Sequence, residues 1–291
     1  MLPLRAAACL LPLLLAAQPA GSQIEFAAPI IPGMNMQSAR YGNEHWQTFN
    51  FLSPKRHSAA PVVIRIEGVP YEGPSEQPSL GFLPSFLYDN DIAYVTVRAR
   101  PRRKGTAAEQ AEDLARAIGE IARNPAKYRL DPHRIALIGA GLEAQPALLL
   151  ATDPTYLAKA QVPFESVRIA VSMDGEPFDI PKWMAAGGRY RADKYRELFG
   201  SDVAGQLRLS PARQVAPPNA PRFLFLVTKG REHLHPQAHE MASALARHGA
   251  AAEVLPMLRN EPDVMATYIG APQHQHTPRL LAVLKQAFGA T

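Results

Sequence analysis

The segment Arg134-Ile135-Ala136-Leu137-Ile138-Gly139-Ala140-Gly141-Leu142-Glu143-Ala144-Gln145-Pro146-Ala147-Leu148-Leu149-Leu150 constrains the fold more than any other part of the chain. A short apolar run, Ile135 to Ile138, meets a glycine pair and continues as a run rich in alanine and leucine. Neither run carries a polar face. The first therefore predicts a buried strand, the glycines a sharp turn and the second a buried helix.

The flanking pattern repeats this alternation. Gln47-Thr48-Phe49-Asn50-Phe51-Leu52 alternates as a half-buried strand does, and Pro61-Val62-Val63-Ile64-Arg65-Ile66 is rich in β-branched residues. Further strands are predicted over 92–97, 167–173, 222–227 and 252–258, and helices over 82–88, 236–248 and 277–288. Over 106–123, Ala111, Leu114, Ala115, Ile118 and Ile121 fall at the three-and-four spacing of an amphipathic helix, with Glu109, Glu112, Asp113, Arg116 and Glu120 opposite. Residues 23–40 read as an irregular lead-in, and 178–217 as an insertion of mixed charge with little regular pattern, a candidate cap. Strands alternating with helices imply βαβ units: an α/β fold with a mostly parallel central sheet, helices on both faces and a small insertion, forming a single domain over 23–291.

Residues 1–22 stand apart. Arg5 gives a weakly positive start, 6–17 is almost wholly apolar, and Ala20-Gly21-Ser22 supplies small residues suited to cleavage. That order predicts a secretory signal peptide too short to span a bilayer comfortably, and hence a secreted or periplasmic protein that does not span the membrane after cleavage. The single cysteine, Cys9, lies within this segment, so a mature chain would have no disulfide, no thiol nucleophile and no thiolate metal ligand. Removing Arg5 with the signal takes the net charge from +5 to +4. The basic cluster Arg98, Arg100, Arg102, Arg103 and Lys104 has no interleaved aromatics to stack on bases and reads as a solvated loop, so no nucleic acid partner is expected.

The register Gly139-Ala140-Gly141-Leu142-Glu143 is similar to the nucleophile elbow G-x-S-x-G, with a glycine where that motif has its serine. Asp91-Ile92-Ala93-Tyr94-Val95-Thr96-Val97-Arg98, Glu112-Asp113, Tyr128-Arg129-Leu130-Asp131-Pro132-His133-Arg134-Ile135, Ala147-Leu148-Leu149-Leu150-Ala151-Thr152 and Val171-Ser172-Met173-Asp174-Gly175 follow one another in matching order. Together, from about Trp46 to the C-terminus, they resemble the α/β-hydrolase family in its esterase, lipase and kynurenine-formamidase-like branch.

The resemblance implies a serine, an acid and a histidine in that chain order, and this chain departs from it at each station. Gly141, between Ala140 and Leu142, can form no acyl-enzyme, and Glu143 replaces a small residue. Where the branch has a His-Gly-Gly oxyanion turn, this chain has Glu67-Gly68-Val69, and an ionised Glu67 facing the pocket would oppose the charge that acyl transfer builds. Glu232 is the nearest carboxylate to the acid station, with His233 in the aligned place. His276 suits the histidine station better than its neighbour His274.

Two functions stay open. One is a non-catalytic pseudoenzyme that binds a small molecule or a protein partner. The other is an active carboxylic-ester or amide hydrolase that uses a relocated nucleophile or an activated water. No cofactor is implied. A metal is not expected, the candidate ligands being His233, His235, His239, His274 and His276, which lie on two loops that the implied fold brings to one end of the sheet.

Overall fold

The structure, a computed structural model, describes residues 36–67, 81–256 and 265–289. The signal segment 1–22, Gly68 and Val69 lie outside the described residues. β1 (Gln37–Arg40), β2 (Thr48–Leu52) and β3 (Ala60–Glu67) are followed by α1 (Leu83–Asp89) and β4 (Ala93–Arg98). Then come α2 (Ala107–Arg123), α3 (Pro125–Tyr128), β5 (Leu130–Ala140), α4 (Ala144–Thr152), α5 (Pro154–Lys159) and β6 (Val167–Met173). The insertion holds α6 (Ile180–Ala186), α7 (Gly188–Phe199) and α8 (Val203–Arg208). β7 (Arg222–Val227), α9 (His235–Arg247), β8 (Ala251–Pro256), α10 (Met265–Tyr268) and α11 (Thr277–Ala287) complete the order.

The strands form one sheet in the order β1-β2-β4-β3-β5-β6-β7-β8. β1 pairs antiparallel with β2 and β2 with β4, while every pairing from β4 through β8 is parallel. Successive residues of a strand point to opposite faces, and here both faces are covered. Val63, Ile138, Val171 and Leu224 pack toward α1 and α11, whereas Val62, Ile64, Leu137 and Phe225 pack toward α2, α4 and α9. This double burial is why the central strands read as unbroken apolar runs. Among the described residues no helix is long and apolar enough to cross a membrane.

Local signals act where the sequence carries them. Thr106 caps α2 by accepting from Glu109 N–H while the Glu109 carboxylate takes Thr106 N–H, a reciprocal capping box. The fully buried Asp113 on α2 accepts from Arg100 Nε at 2.8 Å and Gln47 Nε2 at 3.2 Å, tying the chain after β4 to α2. Two arginines of the basic cluster are thus engaged within the molecule, Arg100 here and Arg98 with Glu67.

Two expectations need correction. The lead-in contains β1, an edge strand whose mostly exposed residues carry no periodic apolar signal. The insertion, expected to have little regular structure, is largely helical. Asp179 and Asp202 cap α6 and α8, and Gly187, Gly188 and Gly200 punctuate α7. Beside buried aliphatics such as Ile180 and Leu198, three aromatic residues from two helices, Trp183, Tyr195 and Phe199, pack with ring centroids 4.9 to 6.4 Å apart. The charged remainder of α7 hides any helical stripe.

Candidate active site

The elbow is built by contacts that tolerate no side chain at two glycines. A Cβ on Gly139 would stand 2.2 Å from the backbone oxygen of Glu143, because the first turn after β5 folds straight back over the strand. A Cβ on Gly175 would meet Ser172 Oγ at 2.2 Å and Ala144 Cβ at 2.5 Å, where the tip of β6 presses on the start of α4. Gly141 is different. It takes φ +58 at the tip of the turn, and its carbonyl accepts from Glu176 N–H at 3.1 Å. The left-handed conformation is one in which an L-residue is strained and glycine is not. Among the described residues beyond its chain neighbours, a Cβ there would find only Glu143 Oε2, at 3.9 Å. The turn that Gly139-Ala140-Gly141 predicts is present, and among the described residues the space above its tip is open.

Beside the tip lies a cavity of about 150 Å³. Ile66, Ala99, Leu114, Leu142, Leu198 and Phe199 give it apolar walls, and Glu67, Gln110, Glu143, Gln145, Lys194 and Tyr195 add polar groups. Burial pushes the Glu143 carboxyl up to about 7, against a hydrogen bond from its own amide and the field of Arg65, which both favour the anion. Glu67 is buried at the end of β3, and its carboxylate accepts from Arg98 Nε at 3.1 Å. Its charge is therefore paired rather than free to oppose an incoming oxyanion.

His274 and His276 sit between α10 and α11, both buried, with rings 6.1 Å apart. His276 Nε2 lies 2.8 Å from Gln275 Nε2, and its ring also hydrogen-bonds the Pro256 carbonyl. Burial lowers its pKa, and the Pro256 bond and Glu253 oppose that. His274 Nδ1 accepts from His276 N–H at 3.3 Å, while its Nε2 is buried without a hydrogen-bond partner among the described residues. Burial, with the neighbouring His276, holds His274 down at about 4, so it stays neutral at ordinary pH.

The acid station differs from the expectation. Glu232 is exposed, and its carboxylate turns back to accept Gly230 N–H at 2.9 Å, which with its own amide holds its pKa below the usual carboxylate range. A carboxylate turned into its own loop orients no histidine. The buried carboxylate of this region is Asp174, which accepts Thr228 N–H at 2.7 Å and Thr228 Oγ1–H at 2.6 Å, locking the tips of β6 and β7 together. Asp174 takes φ +49, and its one sequence signal is the Asp-Gly pair closing an apolar strand.

The five histidines do not gather. His233 is exposed and lines a second cavity of about 500 Å³ between α6 and α9, His235 and His239 stack on α9 with centroids 6.2 Å apart, and His274 and His276 pair on their own loop. Among the described residues no group of three or more His, Cys, Asp or Glu could hold a metal ion, so the histidine cluster considered from the sequence does not form.

The BD-FAE family model matches residues 50–232. Esterase B from Lactobacillus rhamnosis, solved with a C6-C4 SN3 inhibitor, superposes with a TM-score of 0.70 at 14% identity over 89% of this chain and 90% of its own. Thermogutta terrifontis esterase 2 superposes at 0.66 in its native form, with 13% identity over 90% of this chain and 93% of its own, and at 0.65 when phosphonylated by sarin, with 14% identity over 89% and 94%. At such identities the likeness establishes the fold, and no curated protein matches the chain. The sheet order, the elbow and the match over most of the domain agree: this chain belongs to the BD-FAE family, an esterase-like family of the α/β-hydrolase fold.

Proposed function

We propose that this chain is a secreted or periplasmic member of the family in which ester hydrolysis through a serine has been lost, and in which the elbow cavity binds a small molecule. The observation that carries the reading is Gly141. The tip of the elbow bears no side-chain oxygen, and acyl transfer by this fold proceeds through an ester formed on such an atom. The surroundings agree. The His276 ring is engaged by Gln275 and Pro256, and Glu232 turns away into its own loop. Losing the nucleophile relieves the elbow of strain while Gly139 and Gly175 keep its shape, so the cavity outlives the chemistry.

A cavity of this size with apolar walls and a polar mouth suits a ligand with a short acyl or alkyl group. The test is an NMR titration with 2-pentanone, an ester-shaped molecule that cannot be hydrolysed. Saturable shifts of the Leu142 and Tyr195 amides are expected, and amides that stay still at millimolar ketone would refute binding at this cavity. Mass spectrometry of the exported protein tests the location: a mature chain starting near Gln23 is expected, and an intact Met1 would contradict cleavage.

A further inference from the structure

Of the carboxyls around the cavity, Glu143 is the one placed to act on something above the elbow. Among the described residues, and leaving aside the two chain neighbours, its Oε2 is the sole atom within 4 Å of the point where a Cβ on Gly141 would stand. An oxygen one bond further out, on the side turned toward Glu143, comes within hydrogen-bond reach of that carboxyl. Other groups are already engaged: Glu67 by Arg98, and His276 by Gln275 and Pro256. The Glu143 carboxyl takes only its own amide N–H among the described residues.

We propose that Glu143 is a general base that activates a water molecule seated above Gly141, giving the pocket a slow hydrolysis of short-chain carboxylic esters with no covalent intermediate. The water oxygen bonds to the ester carbonyl carbon while its proton passes to Glu143. As the tetrahedral intermediate collapses, the bond to the alcohol oxygen breaks and the leaving oxygen takes that proton, so acid and alcohol depart and Glu143 returns to its starting state. Leu114, Leu142 and Phe199 line the apolar part of the cavity, where a short acyl chain would sit. The charged and titratable groups facing this region among the described residues are Arg65 and Glu67 on β3, Arg98 at the end of β4, and Lys194 and Tyr195 on α7. Burial poises the carboxyl near neutral pH, where a base is both deprotonated and able to pull a proton. This inference goes beyond the binding reading and shares its cavity.

Turnover of p-nitrophenyl acetate and butyrate by the full chain, followed from pH 5 to 9, tests it. Expected are a rate that rises through about pH 7, no initial burst, and a fall in kcat/KM of about 100-fold in Glu143→Gln. Gly141→Ala, whose methyl takes the place of the water, should lose activity as well, and thermal unfolding of both variants checks that each is folded. Equal turnover in wild type and a folded Glu143→Gln, or none above buffer in wild type, overturns the proposal. If turnover is absent while 2-pentanone still shifts the Leu142 amide, the water route fails and the binding reading stands; loss of both refutes both.

Discussion

The elbow and the two loops at the acid and histidine stations are held by different kinds of contact. Under the elbow, every residue of α4 is buried, and a Cβ added at Gly139 or Gly175 would come within 2.5 Å of neighbouring atoms. In the loops, Glu232 is exposed and bonded to its own backbone neighbourhood, and His276 is held by Gln275 and Pro256. The difference teaches that the turn is shaped by packing and backbone contacts, none of which needs a side chain at its tip.

The comparison can be broken from the elbow side first. Gly139→Ala forces a methyl into a backbone carbonyl and should cost about 3 kcal/mol, lowering Tm by roughly 6 to 12 °C. A variant melting like wild type would show that the turn is not held as tightly as this account requires.

Glu143 supplies the next test, and its sign follows from linkage. Its pKa is raised from 4.5 to about 7 in the folded protein, so the native state holds more protons than the unfolded one between those values. Stability from this group is complete below 4.5 and is lost as pH rises through 7. Glu143→Gln should match wild type at pH 4 and exceed it at pH 8 by up to about 3 kcal/mol in denaturant unfolding. His274 runs the other way: lowered from 6.5 to about 4, it favours the native state above 6.5 and less and less as pH falls toward 4. Removing Glu143 should therefore expose an acid-side slope that the two groups partly cancel in wild type. A gap between wild type and Glu143→Gln that ignores pH would contradict the burial of this carboxyl.

Gly141→Ala should cost only about 1 kcal/mol in thermal unfolding, since space is open and only the left-handed backbone objects. A loss as large as that of Gly139→Ala would mean the tip is packed. Smallest of all, Glu232→Gln should change stability by less than about 0.5 kcal/mol, as expected for an exposed side chain. A larger loss would return Glu232 to a structural or orienting role.

The sequence made the scaffold legible because the scaffold rests on signals that local chemistry writes plainly. Val62 to Ile66, Val167 to Met173 and Phe223 to Val227 are apolar on both faces and so name their own burial, and Thr106 with Glu109 marks the start of α2. The insertion was opaque because α7 buries only Leu198 and Phe199 and meets its partners through aromatics far apart in the chain. β1 was opaque because an edge strand of four mostly exposed residues has no apolar pattern to show. At the site, Gly141 could be read from its place between strand and helix. The role of Asp174 could not, because its partner Thr228 is brought to it by the pairing of β6 with β7. Neither could the turning away of Glu232, since a carboxylate in the right register looks the same whether it faces a histidine or its own loop.

The most direct measurement is the intact mass of the native protein after prolonged incubation with a fluorophosphonate, reagents that capture an activated serine as its phosphonyl ester. With Gly141 at the tip of the elbow, the chain should keep its unmodified mass under conditions that fully label an active serine esterase. A stoichiometric adduct, mapped to one serine and prevented by a short-chain ester, would contradict the account and identify a relocated nucleophile.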